Sequence, residues 1–173
     1  MNKYVALLRG INVGGHKKVP MSDLKETFKR QGFHNVKTLL NTGNVVFEGK
    51  KEWLEDIPFA LEDTFGFKIH TIFLPFDKVM DIVKSDPFRN IKVTPKTRLY
   101  VTFFTEKPMT VLKIPYSTDD GAYKIIEVSD IAVFSVLDLD KTKTVEYMNI
   151  LGKEFGENIT TRNYNTVVKI GNL

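Results

Sequence analysis

The stretch whose reading decides the fold is Asn2-Lys3-Tyr4-Val5-Ala6-Leu7-Leu8, running directly into Arg9-Gly10-Ile11-Asn12-Val13-Gly14-Gly15-His16-Lys17-Lys18. In the first part Tyr4, Ala6 and Leu8 alternate onto one face and Val5 and Leu7 onto the other, so both faces of the strand are apolar. Such a strand belongs in the middle of a sheet. In the second part three glycines allow positive φ or a close backbone approach to a ligand, and an arginine, a histidine and two lysines surround them with positive charge. A loop of this composition suits an anion.

Working outward, Leu24 and Phe28 fall on one side of a helix expected over 22–31, with Ser22 as its cap and Gly32 as its left-handed end. Val36 to Leu40 and Val45 to Glu48 read as short strands joined by the tight turn Asn41-Thr42-Gly43-Asn44. Ile57, Leu61 and Phe65 mark a second helix, with Asp56 as cap, Pro58 in the first turn and Gly66 at the stop. Lys68 to Leu74 then reads as a strand ending at Pro75. The resulting order, β-α-β-β-α-β, is that of the split βαβ unit, whose sheet order is 4-1-3-2.

Phe76, Val79, Met80 and Val83 predict a connecting helix that stops before Asp86-Pro87, because the residue before proline avoids the α region. Arg89 to Lys96 reads as a linker. The pattern then resumes: a strand at 98–104, a short helical turn after Pro108, strands at 122–128 and 131–137, and a helix at 144–155. Val145, Met148, Leu151 and Phe155 are its expected buried stripe. An extended piece at Ile159 to Thr161 and a last helix carrying Tyr164, Val167, Val168 and Gly171 complete the chain. The expectation is an α+β protein of two tandem ferredoxin-like (split β-α-β) subdomains, with antiparallel sheets packed with helices. Its parts are 1–75, a connecting helix and linker at 76–97, and 98–173.

At 173 residues with 42% hydrophobic and 27% charged side chains, the composition is that of an ordinary globular chain. The absence of cysteine excludes disulfides, a thiol nucleophile and thiolate metal sites. His16, His34 and His70 are too dispersed for a local ligand motif, so no metal is expected, and no cofactor is indicated. The longest apolar runs, Val5 to Leu8 and Ile131 to Leu137, fall far short of the roughly 20 residues that span a bilayer. The start of the chain lacks the apolar core of a signal peptide, and a cytoplasmic location is the expectation. The net charge of +4 lies mainly in the first 75 residues and is compatible with polyanion binding.

The 4-1-3-2 order carries the end of the first strand and the turn between the second and third to one edge. A ligand site for a small anionic or polar molecule is therefore expected from Arg9, Asn12, Gly14, Gly15, His16 and Lys17 beside Asn41, Thr42, Gly43 and Asn44. Thr160-Thr161-Arg162-Asn163 precedes the last helix, where Asn163 is placed to cap and Arg162 to add an anion contact. The loop is not a Walker A sequence, since His16 stands where the lysine belongs, and it lacks Gly-x-Gly-x-x-Gly. Two alternatives stand beside this reading. One is nucleic-acid binding through Lys17, Lys18, Lys25, Lys29 and Arg30, although Val45-Val46-Phe47 lacks the aromatic pattern of an RNA-recognition strand. The other is an enzyme using His16 as a base next to Arg9, for which spacing identifies no second catalytic group.

Leu7-Leu8-Arg9-Gly10-Ile11-Asn12-Val13-Gly14-Gly15, then Met21, Leu24, Gly32, Phe33 and Val36, then Thr42-Gly43-Asn44-Val45-Val46-Phe47, resembles the opening of the bacterial domain-of-unknown-function family 1697. Thr160-Thr161-Arg162-Asn163-Tyr164-Asn165-Thr166-Val167 resembles its closing motif. The resemblance implies two ferredoxin-like halves and no activity. Thr42 and Tyr164 stand where the family often has serine and tryptophan, and both keep the chemical type.

Overall fold

The computed structural model describes residues 1–110, 112–156 and 158–173, and the side chains of Thr144 and Val145 also lie outside the described set. Among the described residues the fold is mixed α and β, with two antiparallel sheets and five α-helices. Contacts gather the chain into two compact units, Met1–Asp81 with Lys169–Leu173, and Ile82–Val168.

The first sheet contains β1 (Asn2–Leu8), β2 (His34–Leu39), β3 (Asn44–Gly49) and β4 (Thr71–Pro75) in the order β2-β3-β1-β4. This is the 4-1-3-2 order expected from the sequence. Apolarity on both faces of β1 has its expected consequence: the strand is central, with Tyr4 opposite Phe47 on one side and Pro75 on the other. Helix α1 (Met21–Arg30) joins β1 to β2, and α2 (Ile57–Phe65) joins β3 to β4 after a 3-10 segment at Lys51–Asp56. Tyr4, Ala6 and Leu8 share a core with Leu24 and Phe28 of α1 and with Ile57 and Leu61 of α2. Phe47 sits at its centre, 4.8 Å from the rings of both Phe28 and Phe33. Each such burial is worth roughly 1.5–3 kcal/mol, which fixes the helices against this face.

Two expected caps are corrected. Ser22 does not cap α1, because the helix starts one residue earlier and Pro20 occupies the cap position with extended backbone. Asp56 does not cap α2 either, since the 3-10 segment runs into the helix and leaves Asp56 in helical geometry. Gly32 and Gly66 do take left-handed backbone, with φ of 87° and 77°.

The second sheet contains β5 (Thr97–Phe104), β6 (Tyr116–Ser117), β7 (Tyr123–Val128), β8 (Ala132–Asp138) and β9 (Ile159–Asn163), in the order β6-β7-β8-β5-β9. Helices α3 (Phe76–Ser85), α4 (Thr144–Phe155) and α5 (Tyr164–Gly171) complete the elements. The helical turn expected after Pro108 is absent from the described residues, where the chain runs irregularly into β6; Val111 lies outside them. On α4 the buried stripe is Tyr147, Leu151 and Phe155. Met148 is 38% exposed, and the side chain of Val145 is outside the described set. The stretch after α3 is anchored at its start, with Phe88 buried against Tyr164 and Phe134, and Tyr164 donating to Asp86 at 3.2 Å. Among the described residues no helix is long and apolar enough to cross a membrane.

Candidate functional site

Beyond Leu8 the chain leaves the sheet under tight control. Leu8 N–H donates to the Gly43 carbonyl and Arg9 N–H to the His70 carbonyl, both at 2.8 Å. The loop then doubles back on itself. Gly14 and Gly15 carry φ of 59° and 79°, the two consecutive positive values that a tight hairpin turn of the primed type demands. Val13 and His16 form the bridge they close, with His16 N–H donating to Val13 O at 3.1 Å. One step further out, Asn12 N–H donates to Lys17 O at 3.1 Å. Asn12 and Lys17 themselves adopt left-handed backbone, with φ of 56° and 49°.

Asn12 is the organising residue. Its Oδ1 accepts from Val19 N–H at 2.8 Å, and its Nδ2 donates to Val19 O at 3.0 Å and to Asn41 O at 2.8 Å. One half-buried amide thus clamps the base of the loop and fastens it to the β2–β3 turn, 29 residues away. Gly43 completes the join, because a Cβ at this residue would lie 2.7 Å from both Ile11 Cδ1 and Leu8 Cβ, and its φ is +74°. No other residue fits there.

Between loop and turn lies an open cleft of about 380 Å³, walled by Asn12, Gly15, Lys18, Val19, Pro20, Met21 and Asn41. Of the residues expected from the sequence, Asn12, Gly15 and Asn41 form its walls. Arg9, Gly14, His16, Lys17 and Thr42 are exposed on the same two segments. Lys17 leans toward Phe67, its ammonium 5.8 Å from the ring centre. Asn44 faces inward: it is fully buried, and its Nδ2 donates to Leu39 O at 2.8 Å and Thr42 Oγ1 at 3.0 Å, so its amide holds the hairpin. Lys18 ends the Arg9 to Lys18 loop read as the anion site, whereas the start of α1 was not among the expected site residues. The signal for the helix start was the pair Pro20-Met21, since a proline cap offers no side-chain oxygen to the first helical N–H groups.

In the second unit Arg162 is 8% exposed, with Nη1 donating to Thr160 Oγ1 at 2.9 Å and Thr161 O at 3.0 Å. Burial pushes its guanidinium down to about 10, which leaves it cationic at neutral pH. Asn163 Oδ1 accepts from Asn165 N–H at 3.0 Å, as a residue at the entrance to a helix does.

Residues 1–133 match the family model described as "Protein of unknown function (DUF1697)". The chain belongs to this family. The matched span includes the loop, the turn and the whole of the first unit's sheet, and it stops short of the Thr160 to Val167 motif. Among solved structures, the conserved bacterial protein SP0830 from Streptococcus pneumoniae is similar to 99% of this chain over 97% of its own, at 21% identity and a TM-score of 0.69. That likeness is one of fold. No curated protein matches the chain.

Proposed function

We propose that the cleft beside the glycine loop binds a small anion, a phosphate, sulfate or carboxylate group on a compact polar molecule. The observation that carries this reading is the Asn12 clamp, which holds loop and turn together around the start of α1. The first turn of that helix has no side-chain cap, and Pro20 and Met21 at its start line the cleft, where the positive end of a helix dipole favours an anion. Lys18 supplies a full charge at the wall. Arg9 and Lys17, exposed on the same loop, add to the local positive field. No reaction is part of the proposal.

Calorimetric titration with inorganic phosphate, sulfate and nucleoside monophosphates tests it. Saturable binding is expected, weakened roughly tenfold by Lys18→Met, as loss of a charge-assisted contact entails. Failure of every anion to bind, or binding indifferent to Lys18→Met, would overturn the reading. Base stacking on the first sheet is disfavoured, because Val5, Leu7, Val46, Ile72 and Leu74, on the face away from α1 and α2, are 0–3% exposed.

The same proposal takes the chain as two tandem ferredoxin-like halves, 1–75 and 98–173, with 76–97 between them. Its support is the repeated strand order, since β7-β8-β5-β9 follows the pattern of β2-β3-β1-β4 and α4 occupies the chain position of α2.

A further inference from the structure

A larger cleft lies at the opposite end of the first sheet, where β1 begins and β4 passes into α3. Its volume is about 740 Å³, within the range of small-molecule sites. Its walls include the apolar side chains of Leu54, Phe73 and Phe76, of which Leu54 and Phe73 pack on the first unit's core. Met1, at the rim, is 80% exposed.

The charges at the cleft are unevenly matched. Lys3 holds its ammonium 3.7 Å from the centre of the Phe76 ring, and Lys51 is exposed on the facing 3-10 segment. Among the described residues neither lysine has a carboxylate within ion-pair distance. The acid in the wall, Asp77, accepts the Lys78 N–H at 2.9 Å and so serves the first turn of α3. An apolar floor with two ammonium groups and one carboxylate at its edge leaves a net positive rim, which matches a ligand that has both a hydrocarbon body and a single negative head.

We infer that this cleft binds a small amphiphilic carboxylic acid, with an aryl or medium-length acyl body on Leu54 and Phe73 and its carboxylate between Lys3 and Lys51. A bare inorganic anion leaves the floor unused, and a neutral amphiphile leaves the net positive charge of the rim unmatched. This site is separate from the glycine-loop cleft and stands or falls independently of it.

Trp53, the single tryptophan, sits between Lys51 and Leu54 in sequence and provides a fluorescence reporter. Octanoate and 2-naphthoate are titrated into the full chain beside octanamide, 2-naphthamide and inorganic phosphate, with calorimetry giving the stoichiometry. At least one of the acids is expected to bind once per chain, about tenfold tighter than its amide, the factor that a charge-assisted contact confers. Phosphate should not perturb Trp53. Lys3→Met with Lys51→Met should abolish the preference for acid over amide, Lys3→Arg should retain it, and Lys113→Met, which removes an exposed lysine of the second unit, should leave it unchanged. Absence of saturable binding by both acids, equal affinity for acid and amide, or a preference that survives in the folded double variant would overturn the inference.

Discussion

The connection that follows the first strand differs sharply between the two sheets. In the first unit, residues 9–33 make a clamped basic loop and a full helix, whose Leu24 and Phe28 are completely buried. In the second, residues 105–122 contain no helix among the described residues, and the short strand β6 lies beside β7. Leu112, Ile114 and Tyr116 pack on the core cluster of Tyr123, Tyr147 and Leu151 as partly buried side chains. A common strand order therefore tolerates either a helix or an irregular cover after strand one. The requirement is apolar area laid against the sheet, whatever backbone delivers it. The loop chemistry belongs to the first solution alone.

The largest effect expected from testing this contrast is that of Phe28→Ala. It removes a fully buried ring from the helical cover and should cost about 3–5 kcal/mol in denaturant unfolding. Gly43→Ala comes next, at about 2–4 kcal/mol, since it combines left-handed strain with overpacking against Ile11 and Leu8. Asn12→Ala should cost about 1–3 kcal/mol by leaving the Val19 and Asn41 backbone groups without their clamp, and should speed hydrogen exchange at Val19. Ile114→Ala, in the irregular cover, should cost only about 1–2 kcal/mol, because the side chain is partly buried. A loss as large as that of Phe28→Ala would show that the second cover is as tightly packed as the first.

The smallest effect concerns the turn that ends the second connection. The Ala122 N–H first, and then the Thr118 hydroxyl at 2.7 Å, hold the Asp120 carboxyl below its ordinary value of 3.8. A carboxylate lowered on folding stabilises above its unfolded pKa and loses that contribution as pH falls through the folded value. Asp120→Asn should therefore flatten slightly the acid end of the stability curve, below about pH 4, read by thermal midpoints across pH.

Much of the first unit was legible in the residues. The Asn41 to Asn44 turn, the Gly32 and Gly66 stops and the position of β1 each depend on a local rule of backbone conformation or side-chain alternation. Ser22 and Asp56 misled because a cap is set by the backbone of the residue before the helix, and both residues lie inside helical geometry. Asn44 carried a polar label that its burial reverses, since a strand residue next to a turn can aim its amide inward to hold the hairpin.

Sequence alone determined the central strand, the hairpin and the Leu24 and Phe28 stripe of the first helix, because periodicity and glycine conformation act over a few residues. Tertiary structure alone decided that Asn12 reaches Asn41, that Gly43 has no room for a side chain, and that an irregular segment takes the place of a helix in the second unit. Those outcomes depend on side chains meeting across tens of residues of chain. Only the register of the folded sheet specifies such distances.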